Sequence, residues 1–196
     1  MLNIVLFGPP GAGKGTQSKS IEEHYHLIHI STGDLLFGEV SSGTLLGQQA
    51  KEYMLAGRLV PDEIVINMIE NKIRANRQAK GFVFDGFPRN LHQAQTLDKL
   101  LKQNQIEITV VIAFEVDEAE LVRRVLQRGQ EKGRFDDQNE SIVRSRLITY
   151  QNETAPLKEY YTAQNKFITM NGLGSIEQIF QAICTNIDAF CQSQMN

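Results

Sequence analysis

Cysteine is scarce in this sequence of 196 residues. There are two, Cys184 and Cys191, and both lie near the end of the chain. A disulfide framework or a four-cysteine zinc site needs more thiols than these, at other spacings. We therefore interpret both cysteines as packing residues of a helix and expect no structural zinc.

An excess of basic residues and a long apolar run are also missing. The chain has 20 lysines and arginines against 23 acidic residues, whereas nucleic-acid and membrane-surface proteins normally show a basic surplus. No window approaches the roughly 20 apolar residues of a membrane span, and no signal-like stretch precedes the first apolar run. We expect a cytoplasmic protein with small-molecule partners. We also expect a monomer, because no extended apolar stripe requires a partner chain.

What the chain does contain is a regular alternation of apolar, β-prone runs with longer amphipathic stretches. The runs are apolar at both alternating positions, which is typical of strands that helices cover on both faces. The pattern predicts one α/β domain with a parallel sheet and crossover helices. The predicted strands are residues 2–7 (LNIVLF), 27–30, 82–87 (FVFDGF), 108–116 (ITVVIAFEV) and 166–170 (KFITM).

Two stretches do not fit this crossover pattern. Residues 33–60 place short helices and glycines between two predicted strands, and residues 129–138 are polar and interrupted by glycine. We expect each stretch to be a mobile flap.

The sequence GPPGAGKGTQ, residues 8–17, joins the first predicted strand to a helix. Glycines let the backbone approach an anion closely, and the N–H groups and dipole at the start of a helix favour a phosphate there. Lys14 follows Gly13 at the spacing of a phosphate-binding P-loop, so its ammonium can reach the outer phosphates. The usual hydroxyl position holds Gly15, and Thr16 comes next. The loop predicts a nucleotide site.

Several arginines lie at loop edges or beside the second flap. The rigid guanidinium fork suits bidentate phosphate contacts, and transfer between two phosphates needs several of them to offset charge repulsion. Arg124 and Arg128 are four residues apart and share a helix face. Arg144 and Arg146 lie about 200° apart around a helix, so only one of them can point inward. The candidates are Arg58, Arg89, Arg124, Arg128, Arg134 and Arg146.

Asp85 closes the apolar run FVFD, where an acidic residue of P-loop proteins orders magnesium or its water ligands. The alternative is an aspartate that shapes the turn before Gly86. No His-Arg-Asp motif that would activate a hydroxyl acceptor is evident. A phosphate acceptor needs no such base, because its second pKa is about 6. These observations favour phosphoryl transfer to a phosphate.

Six motifs, in order and at family spacing, resemble those of adenylate kinases, which interconvert ATP plus AMP with two ADP. They are GPPGAGKGTQ, STGDLL (31–36), AGRLVPDE (56–63), FDGFPRN (84–90), GRFDDQNE (133–140) and TAPL (154–157). The resemblance covers almost the whole chain and implies a P-loop NTPase-type three-layer fold in one domain, 1–196. Its parts would be a core (1–30, 61–127, 139–196), an NMP-binding flap (31–60) and a short lid (128–138) without a zinc knuckle.

The resemblance also implies a role for each matching position. ATP is expected at Gly11, Ala12, Gly13, Lys14, Gly15, Thr16, Arg124, Arg128 and Gly174. AMP is expected at Thr32, Arg58, Leu59, Val60, Gly86, Phe87, Pro88, Arg89, Gln93, Arg134 and Arg146. The catalytic set would be Lys14, Arg89, Arg124, Arg134 and Arg146. ATP and Mg²⁺ are the expected cofactors, with Mg²⁺ held by Asp85 through water.

Two positions depart from the family pattern. The pattern places an arginine that grips the acceptor's phosphate after STGDLL, where this chain has Phe37, so AMP lacks one charged contact unless a neighbour such as Lys51 supplies it. Asn90 replaces a threonine common in adenylate kinases and resembles UMP/CMP kinases. Thr32 and Gln93 still favour AMP. A UMP/CMP kinase and a non-catalytic nucleotide-binding regulatory protein are the alternatives.

Overall fold

The computed structural model describes residues 1–193, which form a parallel β-sheet with helices on both faces, and this confirms the predicted fold class. The strands are β1 (Leu2–Phe7), β2 (Ile28–Ser31), β3 (Gly81–Asp85), β4 (Val110–Glu115) and β5 (Phe167–Asn171), in the order β2-β3-β1-β4-β5. The helices are α1 (Lys14–Tyr25), α2 (Thr32–Ser41), α3 (Leu45–Leu55), α4 (Asp62–Ala75), α5 (Leu91–Gln103), α6 (Glu118–Lys132), α7 (Glu140–Thr149), α8 (Leu157–Thr162) and α9 (Ile176–Ser193).

β1 lies in the middle of the sheet, and its side chains are buried on both faces. Val5 and Phe7 pack into the apolar cluster on one face, and Ile4 and Leu6 pack into the cluster on the other. This burial explains why the run is apolar at every position. All neighbouring strands are parallel, so their carboxyl ends meet at one edge, where ligands of such sheets bind.

The predicted strands are wrong at several ends. β3 stops at Asp85 rather than at residue 87, because Gly86 has a left-handed φ of 76° that an extended strand does not allow. β4 is shorter than 108–116 at both ends, and β2 and β5 are each displaced by one residue from 27–30 and 166–170. The early end of β3 makes residues 86–89 a turn at the carboxyl edge of the sheet.

The first flap stretch folds as two capped helices. Ser31 caps α2, its Oγ accepting a hydrogen bond from the Asp34 N–H at 3.2 Å, and Thr44 caps α3 in the same way. These caps fix the chain direction where it leaves β2.

The second flap stretch is less irregular than the sequence suggested. α6 continues through Gly129 to Lys132, so this glycine does not interrupt the helix. A Cβ on Gly129 would lie 2.6 Å from the Asp137 carbonyl oxygen, so glycine is needed for the close approach of the 3₁₀ turn Phe135–Asp137. The loop and turn are therefore confined to residues 133–138, and that segment is called the lid loop below.

Both cysteines lie on α9 as free thiols, each half-buried, and Cys191 packs against the core. Among residues 1–193, no helix is both long enough and apolar enough to cross a membrane.

Candidate active site

A cavity of about 800 Å³ opens at the carboxyl edge of the sheet, between the loop after β1, the turn after β3 and the two flap stretches. Of the positions implied by the resemblance, Phe87 does not line it. The Phe87 side chain is 2% exposed and packs into the core, because the turn at Gly86 directs it under the sheet edge. The residues that do line it are Gly11, Ala12, Gly13, Lys14, Gly15, Thr16, Thr32, Arg58, Leu59, Val60, Asp85, Gly86, Pro88, Arg89, Gln93, Arg124, Arg128, Arg134, Arg146 and Gly174.

The loop after β1 presents backbone to the cavity. Gly13 precedes α1 in a left-handed conformation and makes no side-chain cap, so the first turn of α1 faces the cavity through its peptide groups. Such a helix start carries a partial positive charge and orients N–H donors toward an anion. The loop therefore has the geometry of a phosphate cradle.

Lys14 reaches back across this loop. Its Nζ donates hydrogen bonds to the carbonyl oxygens of Gly8 at 2.8 Å and Pro9 at 3.0 Å. Burial lowers the pKa of Lys14 to about 8, Asp85 opposes that shift, and Arg89 and other nearby guanidiniums add to it. Burial and the nearby guanidiniums thus disfavour the charged form of Lys14, and a bound anion would favour it.

The turn after β3 holds Arg89. Its Nε donates to the Gly86 carbonyl oxygen at 2.7 Å, and Thr32 Oγ1 donates to the same oxygen at 2.7 Å. The Arg89 N–H donates to Gln93 Oε1 at 2.8 Å. Burial, with repulsion from Arg146, lowers the pKa of Arg89 to about 10. Thr32, Arg89 and Gln93 therefore form one connected wall of the cavity.

Asp62, at the start of α4, forms hydrogen bonds with Gln93 of this wall and with two residues next to the wall. Its Oδ1 accepts from Gln93 Nε2 at 2.7 Å and Asn90 Nδ2 at 2.9 Å, and its Oδ2 contacts His92 Nδ1 at 2.7 Å. Burial alone would raise the pKa of Asp62, but these hydrogen bonds outweigh it and lower the pKa. Sequence reasoning missed Asp62, although it lies inside the AGRLVPDE motif and is the acidic residue that opens a helix.

The lid loop carries two buried carboxylates that hold the arginines. Arg134 Nε donates to Asp136 Oδ1 at 3.1 Å, Arg128 Nε donates to Asp137 Oδ2 at 2.7 Å, and Arg146 Nη1 donates to Asp137 Oδ1 at 2.5 Å. Burial would raise the pKa of Asp136, but Arg146 and Arg134 lower it. Sequence reasoning also missed both aspartates, and the adjacent acidic pair in GRFDDQNE was the available signal.

Only one of the two arginines on α7 points into the cavity, as their separation of about 200° predicted. Arg146 points inward, with a side chain 14% exposed, whereas Arg144 points outward and pairs with Glu118 and Glu140. On the other wall, Arg124 Nη1 donates to the Gly172 carbonyl oxygen at 3.2 Å, beside Gly174.

Asp85 faces the phosphate cradle, since its Oδ2 lies 3.5 Å from the position that a Cβ of Gly15 would occupy. Within residues 1–193, no group of three or more His, Cys, Asp or Glu side chains is arranged to hold a metal ion.

Comparison with known proteins gives one consistent family. A family model described as Adenylate kinase matches residues 6–166. A relative from Bacteroides fragilis, named adenylate kinase, is 47% identical to this chain over 188 residues. The match covers 96% of this chain and 99% of the relative. The relative from Parabacteroides distasonis is 48% identical over 183 residues (93% and 96%), and that from Flavobacterium psychrophilum is 49% identical over 179 residues (91% and 94%).

Proposed function

This chain belongs to the adenylate kinase family of nucleoside monophosphate kinases, and from that membership we propose that the cavity binds ATP and AMP together. The activity is the reversible transfer of the terminal phosphoryl group of ATP to AMP, giving two ADP. The observation that carries the residue assignment is the set of cations around one cavity: Lys14, Arg89, Arg134 and Arg146. Two adjacent nucleotides need such a set to offset their mutual repulsion.

On the ATP side, the phosphates lie against the loop from residues 11 to 16. Their oxygens accept from the backbone N–H groups at the start of α1 and from Lys14. Arg124 and Arg128 cover the nucleotide from α6, and the backbone near Gly174 contacts the adenine. The support for this placement is that these residues line one continuous part of the cavity.

On the AMP side, the acceptor lies between the first flap and the turn after β3. Thr32, the 58–60 segment, the 86–89 turn and Gln93 form its pocket, with the Phe87 side chain outside it. Gln93 has both ends of its amide held, by the Arg89 N–H and by Asp62, so its orientation is fixed before AMP binds. A fixed polar group discriminates between bases better than a free one.

The transfer itself needs charge stabilisation rather than a base. The attacking oxygen belongs to the AMP phosphate, which is already ionised near neutral pH because its second pKa is about 6. Lys14 approaches the transferred group from the loop, Arg89 from the turn, and Arg134 and Arg146 from the lid side. Closure over the nucleotides excludes water, so these contacts strengthen as charge moves in the transition state.

Asp85 is the residue that we assign to Mg²⁺, through water. A single carboxylate facing the phosphate cradle fits this ion, which keeps several waters and takes its remaining ligands from substrate phosphates. When bound, Mg²⁺ supplies neutralisation of the phosphate charge. Asp85 also raises the pKa of Lys14 toward its usual range, which keeps that side chain charged.

The two alternatives are not favoured, because the relatives at 43–49% identity all carry the adenylate kinase name. Initial rates of ADP formation from ATP with AMP, CMP and UMP in parallel test the acceptor. We expect kcat/KM to be highest with AMP. A higher value with CMP or UMP would support the alternative kinase, and no ADP with any acceptor would support the regulatory protein.

We also propose that the protein is a monomer, since the lid and flap must move over the cavity. Sedimentation velocity at micromolar concentration tests this, and a stable dimer would contradict it.

A further inference from the structure

Two phenylalanines meet where the first flap touches the lid loop. Phe37 lies on α2 and Phe135 lies in the 3₁₀ turn, and their rings are stacked with centroids 6.1 Å apart and planes at 21°. A cation lies against each ring: Arg134 Cζ is 5.1 Å from the Phe37 centroid, and Lys51 Nζ is 5.6 Å from the Phe135 centroid. We call these four residues the aromatic bridge. The cation that contacts Phe37, Arg134, thus belongs to the lid loop.

The guanidinium of Arg134 contacts an aromatic ring and carboxylates at the same time. Its Cζ lies 5.1 Å from the Phe37 centroid, its N–H groups donate to Asp136 at 3.1 and 3.2 Å, and its Nη1 lies 3.6 Å from Asp34 Oδ1. The contact with the ring thus coexists with N–H donation to oxygens, as cation–π contacts of arginine allow. The Arg134 side chain is only 10% exposed, so it has little room to turn away from these partners.

The bridge joins the first flap stretch to the lid loop. Phe37 and Lys51 belong to the helices of the first flap, and Phe135 and Arg134 belong to the lid loop. Moving the flap and the lid loop apart would break these contacts. An aromatic stack with a cation–π contact favours the arrangement with these contacts by about tenfold.

We propose that Phe37 is a positioning residue that acts through Arg134. Its ring holds the lid loop against the flap and keeps the Arg134 guanidinium at the wall of the cavity. This inference rests on the role proposed for Arg134 in phosphoryl transfer. It also explains how an apolar side chain can occupy a position where the family pattern has an arginine.

Kinetics of Phe37→Leu test the proposal, because leucine keeps the apolar packing and removes the ring. We expect kcat to fall about tenfold, the KM for ATP to change less than twofold, and Phe37→Tyr to retain wild-type kcat. If Phe37 acts through Arg134, then Phe37→Leu changes kcat less than twofold in an Arg134→Ala background. A tenfold effect that persists in that background would overturn the proposal.

Hydrogen exchange of the lid loop in the ligand-free protein gives a readout that does not depend on catalysis. We expect residues 133–138 to exchange about tenfold faster in Phe37→Leu. Val40→Ala, on the same helix but outside the bridge, should leave their exchange unchanged. If Phe37→Leu leaves exchange at the wild-type rate, the bridge is not a closure contact and the proposal fails. If the wild-type protein forms no ADP, the proposed function fails, while the exchange result still decides whether the bridge holds the lid.

Discussion

Lys14 and Arg89 are cations that the ligand-free protein holds in an unfavourable environment. Burial is the largest cause in both cases, and neighbouring guanidiniums add to it, lowering the pKa of Lys14 to about 8 and that of Arg89 to about 10. Asp85 opposes the shift in both cases. A phosphate supplies negative charge at this position, so the burial and the neighbouring positive charges that lower these pKa values also favour phosphate binding.

Replacing Lys14 with methionine should lower kcat by at least about a hundredfold, because a charge-assisted contact to the transferred group is lost. The melting temperature of the ligand-free protein should stay equal or rise, because a half-buried cation among other cations is removed. A coupled ADP-formation assay and a thermal melt measure the two effects. Lys72→Met, at an exposed position on α4, is the control and should change neither. Near wild-type turnover of Lys14→Met would contradict the P-loop assignment.

The affinity for ATP should weaken as pH rises above about 8. Over that range the free protein loses the Lys14 proton, whereas bound phosphate raises the pKa of this group, so binding must take up a proton. The Kd for ATP then increases by up to about tenfold per pH unit, which titration calorimetry measures directly. Lys14→Met should lack this dependence on pH. An unchanged Kd in the wild type between pH 7 and 9 would show that Lys14 is not the group that takes up a proton when ATP binds.

The same shift affects the stability of the ligand-free protein with the opposite trend. Between about pH 8 and the ordinary pKa of 10.5, the unfolded chain still holds the Lys14 proton that the folded chain has released. Stability therefore rises with pH across that window, as far as this group is concerned.

At the scale of single elements, α5 shows how a motif residue can serve the fold rather than the ligand. Asn90 caps this helix, its Oδ1 accepting from the Gln93 N–H at 2.8 Å, while its Nδ2 donates to Asp62. Both ends of its amide are thus used inside the protein, and Asn90, unlike Gln93, does not line the cavity. The asparagine that makes this position resemble UMP/CMP kinases thus has a structural role that does not involve the acceptor base.

Asn90→Thr should therefore leave the preference for AMP over CMP and UMP unchanged. It should cost about 1 kcal/mol in the free energy of unfolding, because threonine caps less well and cannot donate to Asp62 as the amide does. Urea unfolding and parallel initial rates measure the two quantities. Asn139→Thr makes the same change at the cap of α7, away from Asp62, and should cost less. A shift of preference toward CMP or UMP would show that Asn90 reads the base.

At the scale of the whole molecule, the first flap, the lid loop and α7 touch one another over the cavity. Thr149 Oγ1 donates to the Gly57 carbonyl oxygen at 2.7 Å and Ser145 Oγ donates to that of Ala56 at 3.1 Å, in addition to the aromatic bridge. A ligand that spans both nucleotide sites would bind beside these contacts and stabilise the chain as a unit.

A two-substrate analogue, two adenosines joined through several phosphates, should raise the melting temperature by about 5–10 °C at a hundredfold excess over its Kd. That excess stabilises the folded protein by about 2.7 kcal/mol. For a chain of this size, each kcal/mol of stabilisation raises the melting temperature by about 2–4 °C. A thermal melt with and without the analogue measures it, and Lys14→Met should show a much smaller rise at the same concentration. No rise in the wild type would contradict a shared site.

The sequence by itself determined the features that repeat or that act locally. The alternation of apolar runs determined the parallel sheet with helices on both faces, because period and burial are properties of neighbouring residues. The spacing of GPPGAGKGTQ likewise predicted a backbone cradle at the start of α1, and the 200° separation of Arg144 and Arg146 predicted that one of the pair points inward. Strand ends were less well determined, since the left-handed turn at Gly86 depends on its surroundings.

Only the tertiary structure decided which residues hold the site together. Asp62 lies 31 residues from Gln93, whereas Asp136 and Asp137 lie within ten residues of the arginines that they bind. Their motifs mark all three as candidates, but the sequence does not show which partner each carboxylate contacts. The pairing of Phe37 with Phe135 is decided in the same way, because it joins segments almost a hundred residues apart. Such contacts depend on how packed helices bring distant side chains together, and a one-dimensional pattern carries no information on that distance.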